Sequence, residues 1–207
     1  RQAAEHRWSV QDLRREVRRK KPVKARLYAT ALGIYRFQIN GKRVGNDLLS
    51  PGYTTYSKRV ETLTYDVTSL LKEGDNAIGA LLGEGWYAGN LLLRKRTELL
   101  AKTPKLLGQL EITFADGSVE TINTDRTWKG TDQGPIRVGG FYHGEDYDAR
   151  LELGTWSQAG YDDQAWTPVT VTSVERAPLL VPKRLPPVRV MQEVSAVKLT
   201  EPQAGRY

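Results

Sequence analysis

The sequence contains no cysteine. That excludes a disulfide, a thiolate zinc site and a cysteine nucleophile. It does not fix the compartment, because a large bacterial domain can be secreted without disulfides as readily as it can stay in the cytoplasm. Histidine is almost as scarce. His6 and His143 are the only two, too few and too far apart for a zinc centre or a base that activates a nucleophile. No apolar run approaches the length of a membrane span, and no intact signal peptide is visible. Zinc-finger spacing and a glycine-lysine phosphate loop are also missing. Long segments of helical period are scarce, which argues against a parallel sheet bridged by helices.

The 207 residues suffice for a core without staples, since a chain of this size buries roughly 70% of its unfolded surface. Formal charge is +7, and much of it is early: Arg14, Arg15, Arg18, Arg19, Lys20, Lys21 and Lys24, followed later by Arg94, Lys95 and Arg96. Such patches attract nucleic acid when aromatic rings stand among them. No such motif accompanies these, so solvated charge is expected and no nucleic-acid partner. "RWSVQDLRREVRRKK" is compatible with a short helix carrying Val10, Leu13 and Val17, or with a polar edge strand leading to Pro22.

From Ala25 onward the period is two. In "IYRFQI", Tyr35, Phe37 and Ile39 share one face, with Arg36 and Gln38 on the other; Asn40–Gly41 then supplies a hairpin turn. "TLTYDV" is a further strand, followed by one helical turn in "TSLLKEG", capped by Thr68 or Ser69 and ended by Gly74. "NAIGALL" is apolar on both faces and belongs in the middle of a sheet. "LLGQLEITF" alternates, Asp116–Gly117 turns the chain, and "SVETINT" returns. "GEDYDARLEL", "WTPVTV" and "VRVMQEVSAVKLT" are further extended segments, the last approached through Pro178, Pro182, Pro186 and Pro187. Roughly ten strands with tight turns predict an all-β protein, an antiparallel β-sandwich of jelly-roll type with one or two short helices. The expected division is a basic lead-in over 1–21, one sandwich domain over 22–180 and an extended segment over 181–207.

Two clusters carry residue types suited to chemistry. The first is "GEGWYAGN", with Glu84, Trp86, Tyr87 and Asn90. Aromatic rings cover the apolar face of a sugar while carboxylates and amides bond its rim. The plainer reading of the same residues is a scaffold loop shaped by Gly83, Gly85 and Gly89, and a third is contact with an adjoining domain. The second is "FYHGEDYDAR". Extended, it points Glu145 and Tyr147 one way and Asp146, Asp148 and Arg150 the other. Asp148 and Arg150 can pair structurally, or Glu145, Asp146 and Asp148 can offer oxygens to calcium, or this stretch with Tyr142 can meet a sugar. Asp162 and Asp163 in "YDDQAW" are turn and capping residues beside a packed Trp166. Asp47, Asp75 and Asn76 are turn formers within reach of a cation or a sugar.

The blocks "ARLYATALGIYRFQINGKRVGNDLLSPGYTTYSKRV", "TYDVTSLLKEGDNAIGALLGEGWYAG", "LLGQLEITFADGSVETINTDRTWK" and "GEDYDARLEL", in this order and spacing, resemble the amino-terminal β-sandwich domain of bacterial α-L-rhamnosidases. The resemblance spans about residues 22–175. It implies membership in an inverting glycoside hydrolase whose acid and base lie on a separate helical-barrel domain, the expected partner. This stretch would then be inactive alone, serving as an accessory module that supports the catalytic domain or binds rhamnose-containing glycans, in some cases with calcium, or as a packing module without ligand. One departure is "NLLLRKRTELLAKTPK", more apolar and basic than the family's usual loop; a short helix with Leu99 and Leu100 against the sandwich is expected there.

Overall fold

The computed structural model describes residues 10–89, 103–141, 144–173 and 176–205. Among them the chain forms thirteen strands: β1 (Gln11–Arg19), β2 (Lys24–Leu32), β3 (Ile34–Ile39), β4 (Lys42–Arg43), β5 (Arg59–Asp66), β6 (Gly74–Gly83), β7 (Lys105–Thr113), β8 (Val119–Asn123), β9 (Lys129–Thr131), β10 (Ile136–Gly140), β11 (Gly144–Tyr147), β12 (Thr167–Pro168) and β13 (Leu179–Pro182). One sheet has the order β12-β9-β1-β6-β3-β4 and the other β13-β5-β2-β7-β8, while β10 and β11 form a separate hairpin. Pairing is antiparallel except where β13 runs parallel to β5. This is the expected β-sandwich.

The core follows from the alternation. Tyr35, Phe37 and Ile39 of β3 and Ile78, Ala80 and Leu82 of β6 face Ala25, Leu27 and Ala29 of β2 and Leu110 and Ile112 of β7. Each large aliphatic side chain so buried contributes about 1.5–3 kcal/mol. Phe37 meets Trp128 edge-on at 6.4 Å. The Trp128 indole N–H donates to the Asn123 carbonyl at 3.0 Å, which lets a polar edge enter the apolar layer. The Asn40–Gly41 turn forms with both residues at positive φ. Asn40 also reaches inward: its amide nitrogen donates to Asn76 Oδ1 at 2.8 Å and to the Leu70 carbonyl at 2.9 Å. Asn76 is fully buried and bonded on both ends of its amide, so it is a structural pin and not a ligand group.

Several expectations change. The basic stretch after Val10 is neither a helix nor an edge strand. β1 pairs with β6 from Gln11↔Leu82 to Arg19↔Gly74 and with β9 on its other side. Its charges are matched by neighbours: Arg15 with Asp125, Arg18 with Asp75, Arg19 with Glu120. The single turn at Thr68–Leu70 has no side-chain cap from Thr68 or Ser69; the Asp66 carboxylate instead accepts from the Thr68 N–H and hydroxyl, and the turn ends at Leu71, with Gly74 opening β6. "GEDYDARLEL" is extended only to Tyr147, because Asp148 then caps a 3-10 turn over Ala149–Leu151. "VRVMQEVSAVKLT" alternates like a strand but has no sheet edge to pair with beyond the single bridge from Val188 to Leu48. The helix expected around Leu99 and Leu100, with the basic knot at Arg94, Lys95 and Arg96, lies outside the described residues, as do His6 and His143.

Candidate functional site

β6 delivers the chain to one end of the sandwich, where Gly85–Ala88 makes a single helical turn, α1. Gly85 has φ of 53°, and a Cβ there would come within 2.7 Å of the Ile34 side chain. Glycine is therefore required for both the backbone twist and the close approach. The turn holds Trp86 and Tyr87 side by side, half-buried. Trp86 stacks on Phe141 at 4.2 Å between centroids and meets the edge of Tyr53 at 6.5 Å. Tyr53 meets Tyr56 at 6.0 Å, and Tyr56 meets Tyr87 at 5.3 Å. Five rings thus form a continuous row across the sandwich end. Burial raises the proton affinity of the Tyr56 and Tyr87 hydroxyls, so both stay neutral. Tyr53 is the open member, 65% exposed. Glu84 stands at the N-terminal position of α1.

The expected site residues divide. Glu84, Trp86 and Tyr87 come together on this end. Glu145 lies on β11, in the hairpin that leads from Phe141, and its charge acts on Arg36. Partial desolvation and neighbouring Arg43 lower the proton affinity of Arg36, while the Glu145 and Asp12 carboxylates oppose them. Asp148 is held by Arg150 in a two-point contact at 2.8 and 2.6 Å, and these bonds keep its carboxyl below the usual range. This is the structural pairing. Asn90 and Tyr142 lie outside the described residues. Asp47 accepts from Arg189 at 3.2 Å, and Asp162 accepts from the Gln164 N–H. Among the described residues no group of three or more acidic or imidazole side chains converges to hold a metal ion, so the calcium set suggested by Glu145, Asp146 and Asp148 does not fit the arrangement there. Nor, among the described residues, is any helix long and apolar enough to cross a membrane.

The second sequence cluster is rich in carboxylates, yet its contribution to the ring row is Phe141. Tyr53 and Tyr56 carry no site motif around them; their signal in the sequence is two rings three residues apart in "GYTTYSK", between strands. Asp163 does more than cap a turn. It pairs with Lys129 at 2.7 Å and with Arg14. Arg14 is 1% exposed, on the outer face of β1. Its guanidinium also donates to the carbonyls of Trp156 at 2.9 Å and Gln158 at 3.2 Å and to Glu16 at 3.1 Å, and it faces the Tyr161 ring. It clasps the 152–166 connection onto the sheet. Two residues earlier, Asp12 shares that face and is also buried, without such partners. Burial pushes its carboxyl up to about 7; Arg36 opposes the rise and Glu152 adds to it.

Residues 20–192 match the family model described as the alpha-L-rhamnosidase N-terminal domain. An alpha-L-rhamnosidase of Formosa agariphila is 47% identical over 160 residues, which cover 77% of this chain and 17% of the relative. The crystal structure of Streptomyces avermitilis alpha-L-rhamnosidase complexed with L-rhamnose superimposes with a TM-score of 0.88 at 42% identity, over 96% of this chain and 19% of that one. The native enzyme of Aspergillus terreus gives 0.81 at 39% identity, over 90% and 22%. The chain therefore spans about a fifth of the length of proteins to which it is similar.

Proposed function

The chain belongs to the alpha-L-rhamnosidase N-terminal domain family, and from that premise we propose that it is a noncatalytic accessory module of a larger α-L-rhamnosidase, whose aromatic end contacts rhamnose-containing carbohydrate. The row of five rings carries this reading. A sugar presents C–H groups on one face and hydroxyls around its rim. The open Tyr53 ring beside Trp86 is a surface for the first, and the Tyr53 hydroxyl and the Glu84 carboxylate are groups for the second. Phe141 already covers one face of the Trp86 indole, so Trp86 would present its remaining surface and hold Tyr53 in place.

The noncatalytic part rests on the family likeness, which implies an acid and a base on a separate helical-barrel domain, and on the engagement of Asp148 by Arg150. Inverting hydrolysis needs two carboxyls roughly 6.5–9.5 Å apart across the scissile bond. Glu84 stands at α1, Glu145 acts on Arg36, and Asp148 is engaged by Arg150. Titration with L-rhamnose, with and without calcium, tests the binding. Tryptophan fluorescence should change saturably in the millimolar range, and Tyr53→Ala or Trp86→Ala should weaken binding by about 1 kcal/mol, roughly fivefold. No change at tens of millimolar removes the sugar-binding reading. Sustained release of product from a chromogenic rhamnoside by the pure chain removes the noncatalytic one.

A second reading, packing against a helical-barrel catalytic domain, is favoured by a different observation. Leu185, Val188, Val190, Met191, Val194 and Val197 are all exposed along one extended stretch, and apolar surface of that kind commonly meets other polypeptide.

A further inference from the structure

The outer face of the six-stranded sheet carries two cross-strand rows. In one, Arg14 of β1, Gly79 of β6 and Gln38 of β3 stand side by side; in the next, Asp12, Leu81 and Arg36 do. The first row is sealed. Trp156 lies so close over Gly79 that a Cβ there would come within 2.5 Å of the ring, and Ser157 donates to Gln38 at 2.7 Å. The second row is open. Above it lies a cavity of about 310 Å³, walled by Glu152, Trp156 and Gln158 of the connection and by Tyr147 of β11. With strands about 4.8 Å apart, the Asp12 and Arg36 backbones stand about 10 Å from each other across it.

Asp12 is 3% exposed, yet among the described residues no hydrogen bond engages its carboxylate. Among the described residues the sealed side-chain atoms without a partner are Arg19 Nε and Ser50 Oγ; the Asp12 oxygens are not among them, so they remain reachable from the cavity. Space beside Asp12 is preserved by Gly134, since a Cβ there would collide with Asp12 Oδ2. The cavity is thus lined by the Asp12 carboxyl, which has no donor among the described residues, by the Arg36 guanidinium, a second carboxylate at Glu152, the amides of Gln38 and Gln158, and apolar surface from Leu81 and Trp156. Arg36 opposes a cation, and two carboxylates oppose an anion. A neutral ring rich in hydroxyls satisfies both kinds of group.

We propose that this cavity is a second carbohydrate subsite, in which a hydroxyl of a neutral monosaccharide unit donates to Asp12 and another ligand oxygen accepts from Arg36. It stands apart from the aromatic end and does not depend on binding there. The test is an amide NMR titration of the chain with L-rhamnose, D-galactose, D-glucose and, as a charged control, D-glucuronate. At least one neutral sugar should shift the amides of Gly154 to Gln158 saturably. Asp12→Ala should weaken that response at least fivefold, as should Arg36→Gln, which alters an exposed side chain and should leave the fold intact. Trp86→Ala should leave it unchanged. Shifts confined to Gly85 through Gly89 would support the aromatic end and overturn this subsite. So would no saturable response at Gly154 to Gln158 with any neutral sugar, a response surviving both cavity variants, or a preference for glucuronate.

Discussion

Arg14 and Asp12 stand two residues apart on one strand, on the same face, both nearly inaccessible to water. Their surroundings are opposite. Arg14 meets three backbone carbonyls, two carboxylates and a tyrosine ring, which is close to everything a guanidinium can use. Asp12 feels the charges of Arg36 and Glu152, and among the described residues no donor engages it. The difference separates two meanings of a buried charge. A saturated one holds the fold together, here by fixing a long connection onto a sheet. An unsaturated one destabilises the fold and is retained where something else supplies its partner.

Three substitutions break or sharpen that contrast. Arg14→Met should be the most damaging. It strands Asp163 and several carbonyls, and urea denaturation should show a loss of about 3–5 kcal/mol. Asp12→Asn should act in the other direction, and only at higher pH. The folded carboxyl titrates at about 7 against 3.8 when unfolded, so the folded state binds the proton more tightly. The contribution of Asp12 to stability should be greatest below pH of about 4, fall as pH rises to about 7, and then level off, so the difference between parent and variant is the quantity to read. Above pH 7 the asparagine variant should be more stable by about 2–4 kcal/mol, and near pH 4 the two should coincide. An equal advantage at both pH values would show that Asp12 is not desolvated as described. Gly79→Ala should have the smallest effect, a loss of about 1–3 kcal/mol from overpacking against Trp156, read as a lowered midpoint in the same denaturation experiment.

The alternation in "IYRFQI" and "LLGQLEITF" and the turns at Asn40–Gly41 and Asp116–Gly117 were legible because local chemistry fixes them. Apolar side chains two apart must share a face, and few residues tolerate positive φ. The lead into β1 was not legible, because "QDLRREVRR" satisfies either period weakly; only its pairing with β6 and β9 decides for a strand. The reverse error occurred after Pro187, where alternation without an available sheet edge produced no strand beyond one bridge. At the candidate site, Glu84, Trp86 and Tyr87 were legible as a group since they are adjacent in sequence. Tyr53, Tyr56 and Phe141 were not, because they arrive from other loops, and Asp148 chose its near neighbour Arg150 over any ligand.

By itself, then, the sequence determined an all-β sandwich, its principal hairpins and its family likeness, since periodicity and turn chemistry act within a few residues. Which charges are satisfied and which are left open was decided only by the tertiary structure. The partners of Arg14 lie up to 149 positions away, and the missing partner of Asp12 is a property of the space that β3, β11 and the 152–158 connection enclose together.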